Sequence, residues 1–276
     1  MRFAVVGHVE WVQFARVERV PRAGEVVHAR EAFEEPAGGG AVVAAQLARL
    51  AGGATLFTAL GDDEVGRRSI ARLRELGVDV RAQIRGGGAE TRRAVTLVDD
   101  RGERTITTFG PRLEPSGEEG DWGDLSGSDG VYFTAGDETA LRLAREHARV
   151  LVASPRARHA LGHGVPLDAL VLSAHDEVER AAAERAREEA ELLVLTEGAQ
   201  GGRYVERGDG GEGRWQAVAP PGDVLDTYGC GDSFAAGLTF GLAAGIPRAE
   251  AFALAARCGA ACLARRGPYE RQHAET

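Results

Sequence analysis

The 276 residues contain no lysine; all 33 basic side chains are arginine. That excludes a Walker phosphate loop and a protein-kinase strand lysine, and with them any Schiff-base or pyridoxal chemistry that needs a lysine of the chain. Cysteine is nearly as scarce. Cys230, Cys258 and Cys262 do not make a disulfide framework, and no Cys-x-x-Cys pair marks a zinc site. The last two, four apart on an Ala-rich helical pattern, read as small core residues. No apolar run reaches membrane-spanning length, and the strand-like Phe3-Ala4-Val5-Val6 begins too early to leave room for a signal peptide. The expectation is a cytoplasmic protein with no membrane partner. A net charge of −9 disfavours nucleic acid as a partner, so any nucleotide site must build its positive field locally.

The length suits one large α/β domain over 1–276, able to bury roughly three-quarters of its unfolded surface without a disulfide or metal staple. The first strand lacks a following Gly-x-Gly-x-x-Gly, which argues against a dinucleotide fold. Residues 12–20 and 25–33 alternate as two strands turned at Pro21-Arg22-Ala23-Gly24, and 91–98 with 104–109 form a second hairpin turned at Asp99-Asp100-Arg101-Gly102. Between them, the Gly38-Gly39-Gly40 helix, a strand over 55–60 and a helix through Leu76 give the β-α-β-α cadence of a doubly wound parallel sheet, whose ligands gather at strand C-terminal ends. Further strands are expected at 130–134, 150–153, 167–172, 192–196, 203–205 and 215–218, with loops at 116–130 and 206–214. The Glu-, Arg- and Ala-rich 177–191 reads as a solvated helix face.

The stretch with chemistry in it comes late: Asp226-Thr227-Tyr228-Gly229-Cys230-Gly231-Asp232, followed by an Ala-rich run of helical spacing. A glycine turn that ends at a helix N-terminus presents unpaired backbone N–H groups and the positive end of the helix dipole, an anion site that needs no lysine. Asp232 would then sit beside the anion as a carboxylate able to take a proton. Read alone, the same residues also describe a capping Asp on a glycine turn.

Together these segments resemble the ribokinase-like carbohydrate kinases, also called the phosphofructokinase-B family. The late motif is similar to that family's Asp-Thr-x-Gly-Ala-Gly-Asp, with Cys230 for Ala. Gly38-Gly39-Gly40 through Ala48-Arg49-Leu50 and on to Gly61-Asp62-Asp63-Glu64-Val65-Gly66 resembles its N-terminal signature, and Thr196-x-Gly198-x-x-Gly201 its nucleotide loop. The resemblance covers nearly the whole chain. It implies a three-layer αβα sandwich with a mostly parallel sheet and a small β-sheet lid, its strands within about 10–36 and 90–110. It also implies ATP, Mg²⁺ and transfer of the γ-phosphoryl to a hydroxyl of a sugar or sugar-like metabolite. In that mechanism Asp232 is the base, and the amides of Gly229, Cys230 and Gly231 hold the charge on the moving phosphoryl. Asp226 resembles the family's monovalent-cation position, which would bring K⁺, or else it stabilises the turn. Ser173-Ala174-His175-Asp176 stands where the family has Asn-x-x-Glu, which makes Ser173 a nucleotide-side residue and Asp176 the Mg²⁺ carboxylate, with Glu177 and Glu179 as rivals.

The departures fall on the acceptor side. The family's sugar-holding Asp and Asn correspond to about Val12 and Val42, and neither valine can hydrogen-bond a hydroxyl. Besides Gly38 and Gly39, replacement contacts are expected from His8, Glu10 and Arg93. Two other readings stand beside the kinase: a family member that has lost catalysis and binds a ligand as a sensor, and a nucleoside kinase, which Trp11 would favour as a stacking surface. A homodimer paired through the lid follows by analogy alone.

Overall fold

The computed structural model describes residues 1–208, 210–270 and 272–274. Its main sheet has nine strands in the order β13-β12-β11-β10-β9-β8-β1-β4-β5. Seven of them run parallel: β1 (Phe3–Val6), β4 (Ala54–Gly61), β5 (Val78–Arg85), β8 (Ser128–Phe133), β9 (Ala148–Ala153), β10 (Ala169–Ser173) and β11 (Leu192–Thr196). At one edge β12 (Gly202–Glu206) and β13 (Glu212–Trp215) turn antiparallel. Alternation along the strands splits the core in two. Val5, Leu56, Tyr132, Val152 and Val194 face α1 (Gly39–Ala51), α5 (Cys230–Ala244) and α6 (Arg248–Cys262). Val6, Phe57, Phe133, Leu151 and Leu172 face the other way, toward α3 (Glu138–His147) and α4 (Glu177–Ala183). The α2 helix (Glu64–Glu75) is capped by Asp63, whose side chain accepts the Gly66 N–H.

A second sheet of four strands, β3-β2-β6-β7, forms the lid: β2 (Glu10–Arg16), β3 (Glu31–Ala37), β6 (Arg93–Val98) and β7 (Arg104–Phe109). The two hairpins join through parallel pairing of β2 with β6. Phe14 stacks on Phe33 at 4.8 Å and meets Tyr228 edge-on at 4.9 Å, which ties the lid to the glycine turn before α5.

Four expectations shift, the first being the strand expected over 12–20, which runs over Glu10–Arg16. The strand expected over 25–33 begins only at Glu31, because an apolar partner for that alternation first appears at Phe33, while Val26 lies 85% exposed in the preceding loop. The helix expected over 177–191 ends at Ala183 and gives way to a short 3₁₀ turn at Arg187–Glu189, with Ala186 and Ala190 still buried against the core. At β13 the strand comes earlier than 215–218 and takes in part of the expected 206–214 loop, of which Asp209 lies outside the described residues.

Candidate active site

The C-terminal ends of β1, β8, β9, β10 and β11 lead to His8, Thr134, Ser154 to Arg156, Ser173 and Thr196 along one rim of the sheet. Against that rim dock two helix N-termini. α1 comes so close that a Cβ on Gly40 would stand 2.7 Å from the His8 carbonyl oxygen, and one on Gly7 would stand 2.7 Å from Gly40 Cα. Its cap, Gly38, has φ +90, a region favourable only to glycine, and donates its N–H to the Tyr228 hydroxyl at 3.3 Å. α5 is capped by Gly229, also left-handed at φ +80, leaving the first-turn amides facing outward.

Asp232 lies where the two termini meet. A Cβ on Gly39 would fall 3.3 Å from its Oδ1, so the carboxylate rests against the start of α1 while standing in the first turn of α5. Arg156 Nη1 lies 3.6 Å from the same oxygen. Glu179 completes the group: it takes the Arg156 Nε–H at 2.8 Å on one oxygen and the Ser173 N–H at 2.9 Å on the other. Burial raises Asp232 above the usual carboxylate range; Arg156 pulls it back down and Glu179 pushes it further up. The Asp232 charge in turn holds Arg156 more firmly protonated.

His8, Glu10, Gly38, Gly39, Gly229, Gly231 and Asp232, all expected from the sequence, line one cavity of about 290 Å³. Arg92, Arg104, Arg112 and Arg156 share its walls, with Ile106 and Thr108 of β7. A larger cavity of about 690 Å³ adjoins it through Arg92, Arg112 and Arg156 and reaches Asp176 and Glu179. His8 is buried, which together with Arg112, Arg156 and Arg92 holds its imidazole neutral, and its Nδ1 has no hydrogen-bond partner. Glu10 is likewise raised by burial, against the pull of Arg92 at 3.6 Å.

Arg93 is not among the lining residues. It pairs with Trp11 across β2 and β6 and is exposed, whereas Arg92, one position earlier, turns toward the Glu10 side. The period of two along a strand sets that difference. Trp11 itself is buried under the Arg68 guanidinium at 4.2 Å and gives no stacking surface in the cavity, which removes the ground for a nucleoside reading. Val12 and Val42 are fully buried in the core.

Of the residues expected to hold nucleotide, Ser173 and Thr196 are paired neighbours at the ends of β10 and β11, and none of Ser173, Thr196, Gly198 and Gly201 lines either cavity. Gly198 is exposed, and Gly201 is packed so tightly that a Cβ would stand 2.2 Å from the Trp215 carbonyl oxygen. Asp176 caps α4: one carboxylate oxygen accepts the N–H groups of Val178 and Glu179. Glu179 is the carboxylate that reaches the Asp232 group. Asp226 is buried, and its two oxygens accept the Tyr228 and Gly267 N–H groups, each at 2.8 Å, so it fastens the glycine turn to the loop after α6. Among the described residues no three His, Cys, Asp or Glu side chains cluster as a metal site. Arg104, Arg112 and Arg156 carry no signal along the sequence, since a single arginine among 33 has no motif.

The model of one protein family, described as pfkB family carbohydrate kinase, matches residues 2–153 and 164–274. The chain is 32% identical to an ATP-dependent ribose-1-phosphate kinase of Halopiger xanaduensis, over 97% of this chain and 93% of that protein. It is 31% identical to a fructokinase of Klebsiella pneumoniae, over 84% of this chain and 87% of that one. The crystal structure of ribokinase from Thermotoga maritima superposes with a TM-score of 0.76 at 22% identity, covering 99% of this chain and 96% of that one.

Proposed function

The chain belongs to the pfkB family of carbohydrate kinases and is an ATP-dependent carbohydrate kinase, and from that premise we propose which residues carry the transfer. The acceptor hydroxyl lies in the smaller cavity. It gives its proton to the Asp232 carboxylate as its oxygen attacks the γ-phosphorus, and ADP leaves toward the larger cavity. The amides of Gly229, Cys230 and Gly231, with the dipole of α5, hold the charge on the transferred group. Arg156 does the neutralising that a lysine performs elsewhere. The observation that supports this most directly is the meeting of Asp232 with two helix N-termini beside Arg156.

Mg²⁺ fits as a companion of the triphosphate, because such sites commonly supply only one or two carboxylates, and Glu179, with Asp176 behind it, would hold its waters. The metal would offset charge between the β- and γ-phosphates. Asp226 holds one backbone N–H on each oxygen and fastens the glycine turn, and no step is assigned to K⁺ there. No helix among the described residues is long and apolar enough to cross a membrane; cytoplasmic location remains part of the proposal, as does a homodimer through the exposed β7 edge.

An ADP-release assay over sugars, sugar phosphates, nucleosides and small alcohols tests this reading. A sugar-class acceptor should stimulate ADP formation, and Asp232→Asn should keep Mg-ATP binding while lowering kcat by about 10²- to 10⁴-fold. A chain that binds no Mg-ATP by calorimetry and answers to no acceptor would be the non-catalytic sensor instead. Near-normal turnover of the variant would remove Asp232 from the role of base.

A further inference from the structure

The two relatives are named for a phosphorylated and a free sugar, and the acceptor cavity distinguishes between such substrates on its own terms. Four guanidiniums line it against two carboxylates, Glu10 and Asp232, in a chain whose net charge is −9. A polar neutral sugar calls for paired donors and acceptors; a surplus of fixed cations calls for an anion.

Two of the four are already engaged. Arg112 forks onto Glu114, and Arg156 is held by Glu179 and Asp232. The other two are held more loosely. Arg104 donates only to the neutral Thr227 hydroxyl, at 3.1 Å. Arg92 donates Nη2 to the Thr108 hydroxyl at 2.7 Å, and its buried Nε has no hydrogen-bond partner, the Glu10 carboxylate standing 3.6 Å from it. Arg104 opens β7 and Arg92 immediately precedes β6, with Thr108 of β7 on the same wall. Arg104 lines only the smaller cavity, away from the Asp176 and Glu179 side where the nucleotide is placed.

Resting on the kinase reading of this site, we propose that the acceptor is a sugar phosphomonoester, its phosphate held by Arg92 and Arg104 with the Thr108 hydroxyl while a free hydroxyl faces Asp232. A phosphate dianion matches two guanidiniums that keep donors without a hydrogen-bonded carboxylate, in charge and in geometry. The lid is then the specificity element, since both residues belong to it.

The test compares matched pairs, ribose with ribose 1-phosphate and ribose 5-phosphate, and fructose with its 1- and 6-phosphates, with gluconate as a carboxylate control. ADP release gives kcat/KM, and calorimetry without ATP gives binding. The phosphates should exceed their parents by about 100-fold or more in kcat/KM, and Arg104→Gln should collapse that ratio by about 10- to 100-fold, with KM for ATP little changed. Arg104 is exposed, so the variant should fold, and Arg104→Lys should restore part of the selectivity. Free sugars or gluconate used as well as the phosphates would overturn the inference and leave the kinase reading standing. Sugar phosphates that bind through Arg104 without any turnover would overturn the kinase reading and leave this one. A variant that raises only KM for ATP would assign Arg104 to the nucleotide and refute the proposal.

Discussion

Arg156 and Glu179 should move the pH profile of this enzyme in opposite directions. Asp232 acts as a base only when ionised, so kcat falls on the acid side as that carboxylate takes up a proton. Its affinity for the proton is raised by burial, lowered by Arg156 and raised by Glu179. Arg156→Met removes the charge 3.6 Å away. At that separation the pair is worth about 1 kcal/mol in bulk water and about 5 kcal/mol at an effective dielectric of 20. The Arg156 side chain is 42% exposed, and screening draws the value toward the lower end, about 1.5 to 3 kcal/mol. Losing that attraction leaves burial and Glu179 to raise the Asp232 carboxylate further, so the acid limb of kcat should move up. Glu179→Gln removes a negative charge and frees Arg156 for Asp232, so its limb should move down.

The assay is ADP release at saturating ATP and acceptor from about pH 5 to about pH 9, read as the position of the limb and not its height. A height change alone reports lost binding or positioning. The double variant should return the limb toward the wild-type position, because each substitution also strips the other residue of its partner. Two limbs that move the same way, or a limb that stays fixed in Arg156→Met, would refute the electrostatic account of the base.

The parts of the site that are local in sequence were legible there. A glycine turn, its helix and its terminal Asp occupy seven consecutive residues, and backbone geometry follows from them almost directly. The family and the three-layer fold were legible for the same reason, from motifs in order along a parallel sheet. The lid's second hairpin was readable from alternation, and its first only as far as Phe33 gave that alternation a partner. Arg92 and Arg93 show the limit most clearly. Arg93 opens β6 and Arg92 immediately precedes it, and only the register of β6 against β2 decides which faces the cavity.

Asp176 and Glu179 show the same limit on a helix. The spacing from Ser173 favours Asp176, yet the first turn of α4 needs a cap, and a short carboxylate next to free N–H groups takes that place. Glu179, three residues on, falls on the face turned back toward β10 and is buried against Arg156. Arg104, Arg112 and Arg156 come from three separate segments that meet only in the folded chain, so no spacing could announce them.

Two further outcomes follow from the packing and from the base itself. Gly201→Ala places a Cβ 2.2 Å from a backbone oxygen at φ +80, so it should cost at least about 2 kcal/mol and lower Tm by at least about 4 °C. The KM for ATP should hold in the folded fraction; a higher KM with an unchanged Tm would instead make Gly201 a nucleotide contact. Asp232→Asn should do the reverse to stability. A carboxylate whose folded pKa lies above its unfolded value binds its proton more tightly in the native state, so its ionisation disfavours folding as pH rises through the carboxylate range. At pH 8 the wild type carries that full penalty and the amide carries none. The variant should therefore melt higher than the wild type at pH 8, and the gap should close only as the pH falls below the ordinary carboxylate value of 3.8, where the carboxyl becomes neutral in both states. A variant that melts lower at every pH would mean that Asp232 stabilises the fold as well as serving as its base.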